Sequence, residues 1–174
     1  TRFRFSLRGP VKFKLNIRHP NWCKEMTIAI NGRGTVNSQT PGSYVAVDRV
    51  WHDGDSVEVE LPMSLRFEAL PGQPEYVALV YGPIVLAGML GQKELTSGSD
   101  LIVNERTIGD VLKDSVEVPQ FAGDADQLVA RVKRLPGPTL TFRTEGIGKP
   151  HDVTLIPYYR IAHERYTIYW ETRT

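Results

Sequence analysis

The sequence predicts an all-β chain, built as an antiparallel sandwich of the jelly-roll or immunoglobulin-like kind and organised as two packed β domains. Three observations carry this. Short segments alternate apolar and polar residues, as at Val57, Val59 and Leu61, which marks strands with one wet face. Gly, Pro and Asn-Gly turn signals separate these segments at short intervals, the spacing of a sandwich and not of βαβ units. A nearly continuous apolar run from Tyr76 to Ala87, broken by Gly82-Pro83, reads as strands covered on both faces. The core is therefore expected around Tyr76–Ala87.

In chain order, Phe3, Phe5 and Leu7 alternate with Arg2, Arg4, Ser6 and Arg8. After the Gly9-Pro10 turn, Val11, Phe13, Leu15 and Ile17 alternate with Lys12, Lys14 and Asn16. The pair predicts a β-hairpin with a basic outer face. Arg18-His19-Pro20-Asn21-Trp22 breaks the alternation, because Pro20 has no N–H to give a ladder. Met26, Ile28 and Ile30 form the next strand, closed by Asn31-Gly32. Arg33 to Gly42 is polar and ends in a Pro41-Gly42 turn, and Tyr44–Val47 is a short strand. Trp51-His52-Asp53-Gly54-Asp55 is a tight connection into Val57–Leu61, and Leu65 and Phe67 begin another alternating segment.

Beyond Ala87 the texture changes. Gly88, Gly91, Ser97, Gly98 and Ser99 mark a loop or linker to about Asp100, so the domain boundary is expected at 88/89, with domains 1–88 and 89–174. Leu101 to Lys113 is ambiguous and could hold a short helix that Gly109 weakens. Val116-Glu117-Val118 reads as a short strand ended by Pro119. Leu128–Lys133, Thr139–Arg143, Val153–Ile156 and Arg165–Trp170 are four further strand segments, the first two separated by Leu135-Pro136-Gly137-Pro138.

Composition narrows the function classes. Lys and Arg total 21 and Asp and Glu 20, a net charge of +1, which gives no reason to expect nucleic acid or an anionic membrane as partner. The single cysteine, Cys23, excludes a disulfide within the chain and a cysteine-based zinc site. No apolar run reaches the ~20 residues of a membrane helix. The chain opens without Met and directly in strand pattern, so a fragment or excised domain of a longer protein is expected. Compartment stays open between bacterial periplasm and cytoplasm.

Chemical motifs are sparse. Asp53-Gly54-Asp55 lacks the alternating oxygen ligands of a calcium loop and reads as a hairpin turn. His19, His52, His151 and His163 have no metal-ligand spacing, and His163-Glu164-Arg165 is not H-E-x-x-H. His163 reads as a buried or interface residue. Pro41-Gly42-Ser43-Tyr44 is not a nucleophile elbow. Lys24 beside Cys23 could lower its thiol pKa, but no cysteine-hydrolase signature accompanies it. Glu58 and Glu60 sit at the outward positions of an alternating strand, the reading of a solvated face. No cofactor, metal or catalytic residue is assigned.

The segment Tyr158-Tyr159-Arg160 to Tyr169-Trp170 is the best binding feature, because exposed rings stack on sugars and protein partners alike. Alternation would place Tyr166, Ile168 and Trp170 on one face, read as core, leaving Tyr169 exposed. Trp22, Trp51, Tyr169 and Trp170 are the candidate contacts to carbohydrate or to a protein partner.

Several segments resemble the C-terminal region of the beta-L-arabinofuranosidase family, glycoside hydrolase family 127, also known as the domain of unknown function 1680 proteins. They are Leu15–Trp22, Ile30-Asn31-Gly32, Pro41–Tyr44, Trp51–Asp55, Leu61–Arg66, Tyr81–Ala87, Ile156–Ile161 and Glu164–Trp170. Each is weak alone, whereas the ordered set spans nearly the whole chain and is specific. The resemblance implies a helical (α/α)6 catalytic barrel elsewhere in the parent chain, with β-sandwich domains after it. The family's catalytic carboxylate and zinc-bound cysteine lie in that barrel. Cys23 stands where the family usually has a small residue, and no catalytic role is carried onto it.

The expectation is thus a non-catalytic accessory and scaffold region of a glycoside hydrolase acting on arabinose-containing glycans. Its partners would be the barrel and a second copy in a homodimer. The alternative is a carbohydrate-binding module, and a self-sufficient hydrolase ranks last.

Overall fold

The computed structural model describes residues 1–93, 95, 116–123 and 125–173. The chain divides into two compact units, Thr1–Ser64 and Leu65–Thr174. The division falls before the expected 88/89 boundary, because the segments between Leu65 and Met89 pair with strands of the C-terminal half. Gly88, expected to open a linker, lies inside a strand. The ambiguous Leu101–Lys113 segment lies outside the described residues.

The first unit holds β1 (Arg2–Arg4), β2 (Val11–Arg18), β3 (Met26–Ile30), β4 (Arg33–Ser38), β5 (Tyr44–Trp51) and β6 (Ser56–Glu60). Four strands form one sheet in the order β1-β6-β3-β4, and β2 and β5 form a second. The alternation seen in the sequence sends Ile17, Met26, Ile28, Trp51, Val57 and Val59 from both sheets into one core. Around it, Phe5 and Phe13 pack on the Trp51 ring at 4.7 and 5.5 Å between centroids.

The expected hairpin between the first two segments does not form. β1 pairs with β6 (Phe3 opposite Val57) and β2 pairs with β5 (Leu15 opposite Val47). Gly9-Pro10 carries the chain from one sheet to the other. Periodicity shows that a segment is a strand and which face is apolar, but it does not name the partner. β4 was also unforeseen, since its residues Arg33–Ser38 are polar; it is paired by the turn at Asn31 (φ 53°) and Gly32 (φ 67°), the geometry of a two-residue hairpin.

The second unit holds β7 (Leu65–Leu70), β8 (Gln73–Tyr81), β9 (Ile84–Met89), β10 (Gln120–Ala122), α1 (Ala125–Ala130), β11 (Val132–Arg134), β12 (Phe142–Thr144), β13 (Gly148–Lys149) and β14 (Thr154–Pro157). A 3-10 turn (Tyr158–Arg160), β15 (Tyr166–Thr167) and β16 (Trp170–Arg173) follow. The ten strands run β11-β12-β14-β9-β8-β16-β10-β13, with β15 on β9 and β7 on β8. Among the described residues all pairs are antiparallel except β10 with β16. The apolar run provides the centre: Val77, Leu79, Val80, Leu86 and Ala87 are buried, as its composition predicts.

Three local expectations are corrected. Leu128–Lys133 is not one strand: α1 carries Leu128 into the core, and β11 begins at Val132. Val116–Val118 is not a strand; pairing starts after Pro119, whose missing N–H suits a strand entry. Arg165–Trp170 is interrupted at Ile168-Tyr169, so β15 and β16 join different partners, β9 and β8. The break resets the alternation, and Tyr166, read as core, is exposed.

Candidate functional site

The four aromatic residues singled out by sequence occupy different environments. Trp51 and Trp170 have no exposed surface, and a ring with no exposed face cannot stack on a sugar. Trp51 donates its indole N–H to the Phe13 carbonyl at 3.0 Å. Trp170 stacks on Phe121 at 4.6 Å and 14°. Both are core. Trp22 is half-buried, and Tyr169 is 42% exposed, as its position predicts.

The segment around His19 is a structural corner. His19 is fully buried; its Nε2 donates to the Cys23 carbonyl at 2.7 Å and its Nδ1 pairs with Ser38 Oγ at 2.9 Å. The Cys23 thiol is buried and donates to the Glu25 carbonyl at 3.0 Å. Neither group faces solvent. Asp53-Gly54-Asp55 is a turn, with Gly54 at φ 81°. The Asp55 carboxylate accepts from the His52 N–H at 2.9 Å and from the Asn31 amide at 2.8 Å. The His52 bond, then the Asn31 bond and the Arg49 charge, hold Asp55 below the usual carboxylate range against the opposing effect of burial.

His163 is exposed and not buried, which leaves the interface alternative of the two expected, and it takes a left-handed conformation (φ 51°). It borders a mainly apolar hollow of about 520 Å³ with Leu90, Ile161 and Tyr166. At that hollow Tyr166 meets Tyr158, with ring centroids 5.5 Å apart and hydroxyls at 3.3 Å. The shared hydrogen bond, with burial, pushes the Tyr166 phenol above the usual tyrosine range. Tyr159 beside them is 73% exposed.

The arrangement with the most binding chemistry lies on β8, β16 and β10. Tyr76, Tyr169, Gln120, Glu171 and Thr167 border an open hollow of about 360 Å³. Tyr76 and Glu171 are cross-strand partners, one step from the buried pair Val77 and Trp170. Gln120 donates its amide to Glu171 Oε2 at 2.5 Å. Sequence reasoning found Tyr169 but missed Tyr76, which sits within the run read as core, and Gln120, whose neighbourhood depends on a parallel pairing. Among the described residues no three His, Cys, Asp or Glu side chains come together to hold a metal, and no helix is long and apolar enough to cross a membrane.

Residues 66–172 match DUF4986, a domain of unknown function. The chain belongs to the DUF4986 family. In this DUF4986 chain, residues 1–63 also match the middle domain of the GH127 beta-L-arabinofuranosidases. The junction of the two matches coincides with the division between the two compact units. The chain thus joins a segment similar to a domain of GH127, a glycoside hydrolase family, to a DUF4986 domain. The match of its first segment to that middle domain agrees with the resemblance read from the sequence.

Solved structures with the same fold include three relatives. A GH127 beta-L-arabinofuranosidase from Geobacillus stearothermophilus T6 is 20% identical, with a TM-score of 0.65 over 99% of this chain and 28% of that one. A protein described as a glycoside hydrolase is 20% identical, with a TM-score of 0.59 over 94% and 28%. A GH127 beta-arabinofuranosidase is 19% identical, with a TM-score of 0.57 over 99% and 29%. The DUF4986 chain thus spans less than a third of the length of each. No curated protein matches the sequence.

Proposed function

We propose that this chain is a non-catalytic accessory region of a glycoside hydrolase acting on arabinose-containing glycans, bracing an (α/α)6 catalytic barrel of the same polypeptide and mediating dimerisation. The observation that carries the reading is the pairing of a GH127 middle domain with a DUF4986 domain in a chain that spans 28–29% of three glycoside hydrolase structures. Tyr158, Tyr159 and Tyr166 supply an exposed aromatic patch of the amphipathic kind that suits a protein contact.

The test is to express the chain and the barrel portion separately, tag one, and measure co-purification, sedimentation and hydrolysis of a chromogenic arabinofuranoside. Co-purification, a dimer of the chain, and hydrolysis confined to the barrel portion are expected. Hydrolysis by the chain alone, or no retention of the barrel, would overturn the reading.

A second reading, carbohydrate binding by exposed rings, is favoured by the hollow that Tyr76 and Tyr169 flank. It differs from the first in needing a free ligand and no partner domain.

A further inference from the structure

The outward face of β8, β16 and β10 has an order that strand pairing alone enforces. In the antiparallel pair, Trp170 lies opposite Val77 and Glu171 opposite Tyr76. Residues directly opposite share a face, and successive residues take opposite faces. Val77 and Trp170 are buried, so Tyr76 and Glu171 point outward. On β10, Phe121 is buried and stacks on Trp170, which turns its neighbour Gln120 outward beside Glu171. Tyr76, Glu171 and Gln120 thus form a row across three strands, about 10 Å long at the usual strand spacing. Tyr169, from the bend that precedes β16, and Thr167 close one side.

We propose that this row is a binding site for an oligosaccharide; the proposal rests on the carbohydrate-binding reading and gives it a place. Its length suits two sugar rings. The Tyr76 and Tyr169 rings, 36% and 42% exposed, offer apolar faces to the C–H faces of sugar rings. Glu171 accepts from sugar hydroxyls. The Gln120 amide, by donating to Glu171 Oε2, fixes the carboxylate and leaves its own carbonyl oxygen as a further acceptor. Lys149 of β13, exposed and the register partner of Gln120, follows next along the row and adds a donor for sugar hydroxyls. The site stands on paired strands over the Phe121–Trp170 stack, so little ordering is needed on binding.

The experiment is calorimetric titration of the purified chain with neutral arabino-, xylo- and cello-oligosaccharides, and with oligogalacturonate as the acidic counterpart. In parallel, the Gln120 side-chain amide is followed by NMR. Expected are saturable binding of at least one series and a shift of the Gln120 amide signals. Tyr76→Ala and Tyr169→Ala should each weaken binding about tenfold without moving the unfolding temperature. Gln120→Ala serves as the variant should either tyrosine change unsettle the fold. No binding across the panel overturns both the site and the carbohydrate reading. Binding that leaves the Gln120 signals and all three variants unaffected overturns this site alone. Self-association lost in Tyr169→Ala, without sugar binding, overturns it in favour of a contact between copies of the chain.

Discussion

Trp170 lies against Gly88 so closely that a β-carbon at Gly88 would overlap Cη2 and Cζ2 of the indole and reach 2.9 Å from Val153 Cγ1. Gly88 sits in β9 opposite both Leu155 of β14 and Thr167 of β15. A bare backbone at this point leaves room for the indole, which stacks on Phe121.

Gly88→Ala should therefore destabilise the second unit. The atoms it meets belong to a rigid, buried ring that cannot swing aside, so the cost is that of overpacking a core, about 1–3 kcal/mol. Urea unfolding followed by Trp fluorescence gives the measurement. A midpoint unchanged from the parent chain would mean that Trp170 does not lie over Gly88.

Asp55 predicts an acid-sensitive first unit. Its carboxylate is held below its ordinary value by the His52 N–H, the Asn31 amide and Arg49. The unfolded chain binds its proton near pH 3.9. The charged form is thus favoured in the folded state, and this stabilisation is present above about pH 4 and is lost as pH falls through the lower folded value. Asp55→Asn should flatten the fall in unfolding temperature between about pH 4 and pH 2. Parallel curves for the two proteins would count against it.

Asp152 organises the turn that precedes β14. It accepts from the Gly146 N–H at 2.7 Å, from Thr144 Oγ1 at 2.9 Å and from the Gly148 N–H at 3.1 Å. Burial pushes its carboxyl upward, but these bonds outweigh burial and the net shift is downward. Asp152→Ala should cost about 1.5–3 kcal/mol, the scale of hydrogen bonds to a charged group, and speed amide exchange at Gly146 and Gly148. Unchanged exchange at both glycines would show that the carboxylate does not hold this turn.

Cys23 should be silent toward a thiol reagent in the native state. Its sulfur is buried and bonded to the Glu25 carbonyl, and the His19 corner closes over the same residues. Ellman's reagent should react only as the first unit unfolds. His19→Ala orphans the Cys23 carbonyl, at roughly 1–3 kcal/mol, and should speed the labelling. Rapid labelling of the unmodified native chain would show an open thiol.

The strands of the first unit were largely legible, because each buries one face and their period of two survives in the residues. The turns at Asn31-Gly32, Pro41-Gly42 and Gly54 were legible too, since positive φ there favours the residues found. β4 was not, because a polar strand leaves no apolar pattern. The candidate site was half legible: the sequence singles out Tyr169, although the bend before β16 and not strand parity exposes it, whereas Tyr76 falls in an apolar run and reads as core, yet β8 exposes its first residues, Gln73 to Tyr76.

By itself the sequence determined the all-β class, the position of the central apolar run, the main turns and the resemblance to GH127 proteins. These rest on local periodicity, on backbone preference and on ordered motifs, all of which are written in neighbouring residues. Tertiary structure decided which strands pair, where the units divide and which rings remain exposed. A strand's partner depends on residues distant in the chain: β1 chose β6 over β2, and β10 met β16 in parallel. The same long-range pairing buried Trp51 and Trp170 and brought Tyr76, Glu171 and Gln120 into one row. No local pattern carries that information.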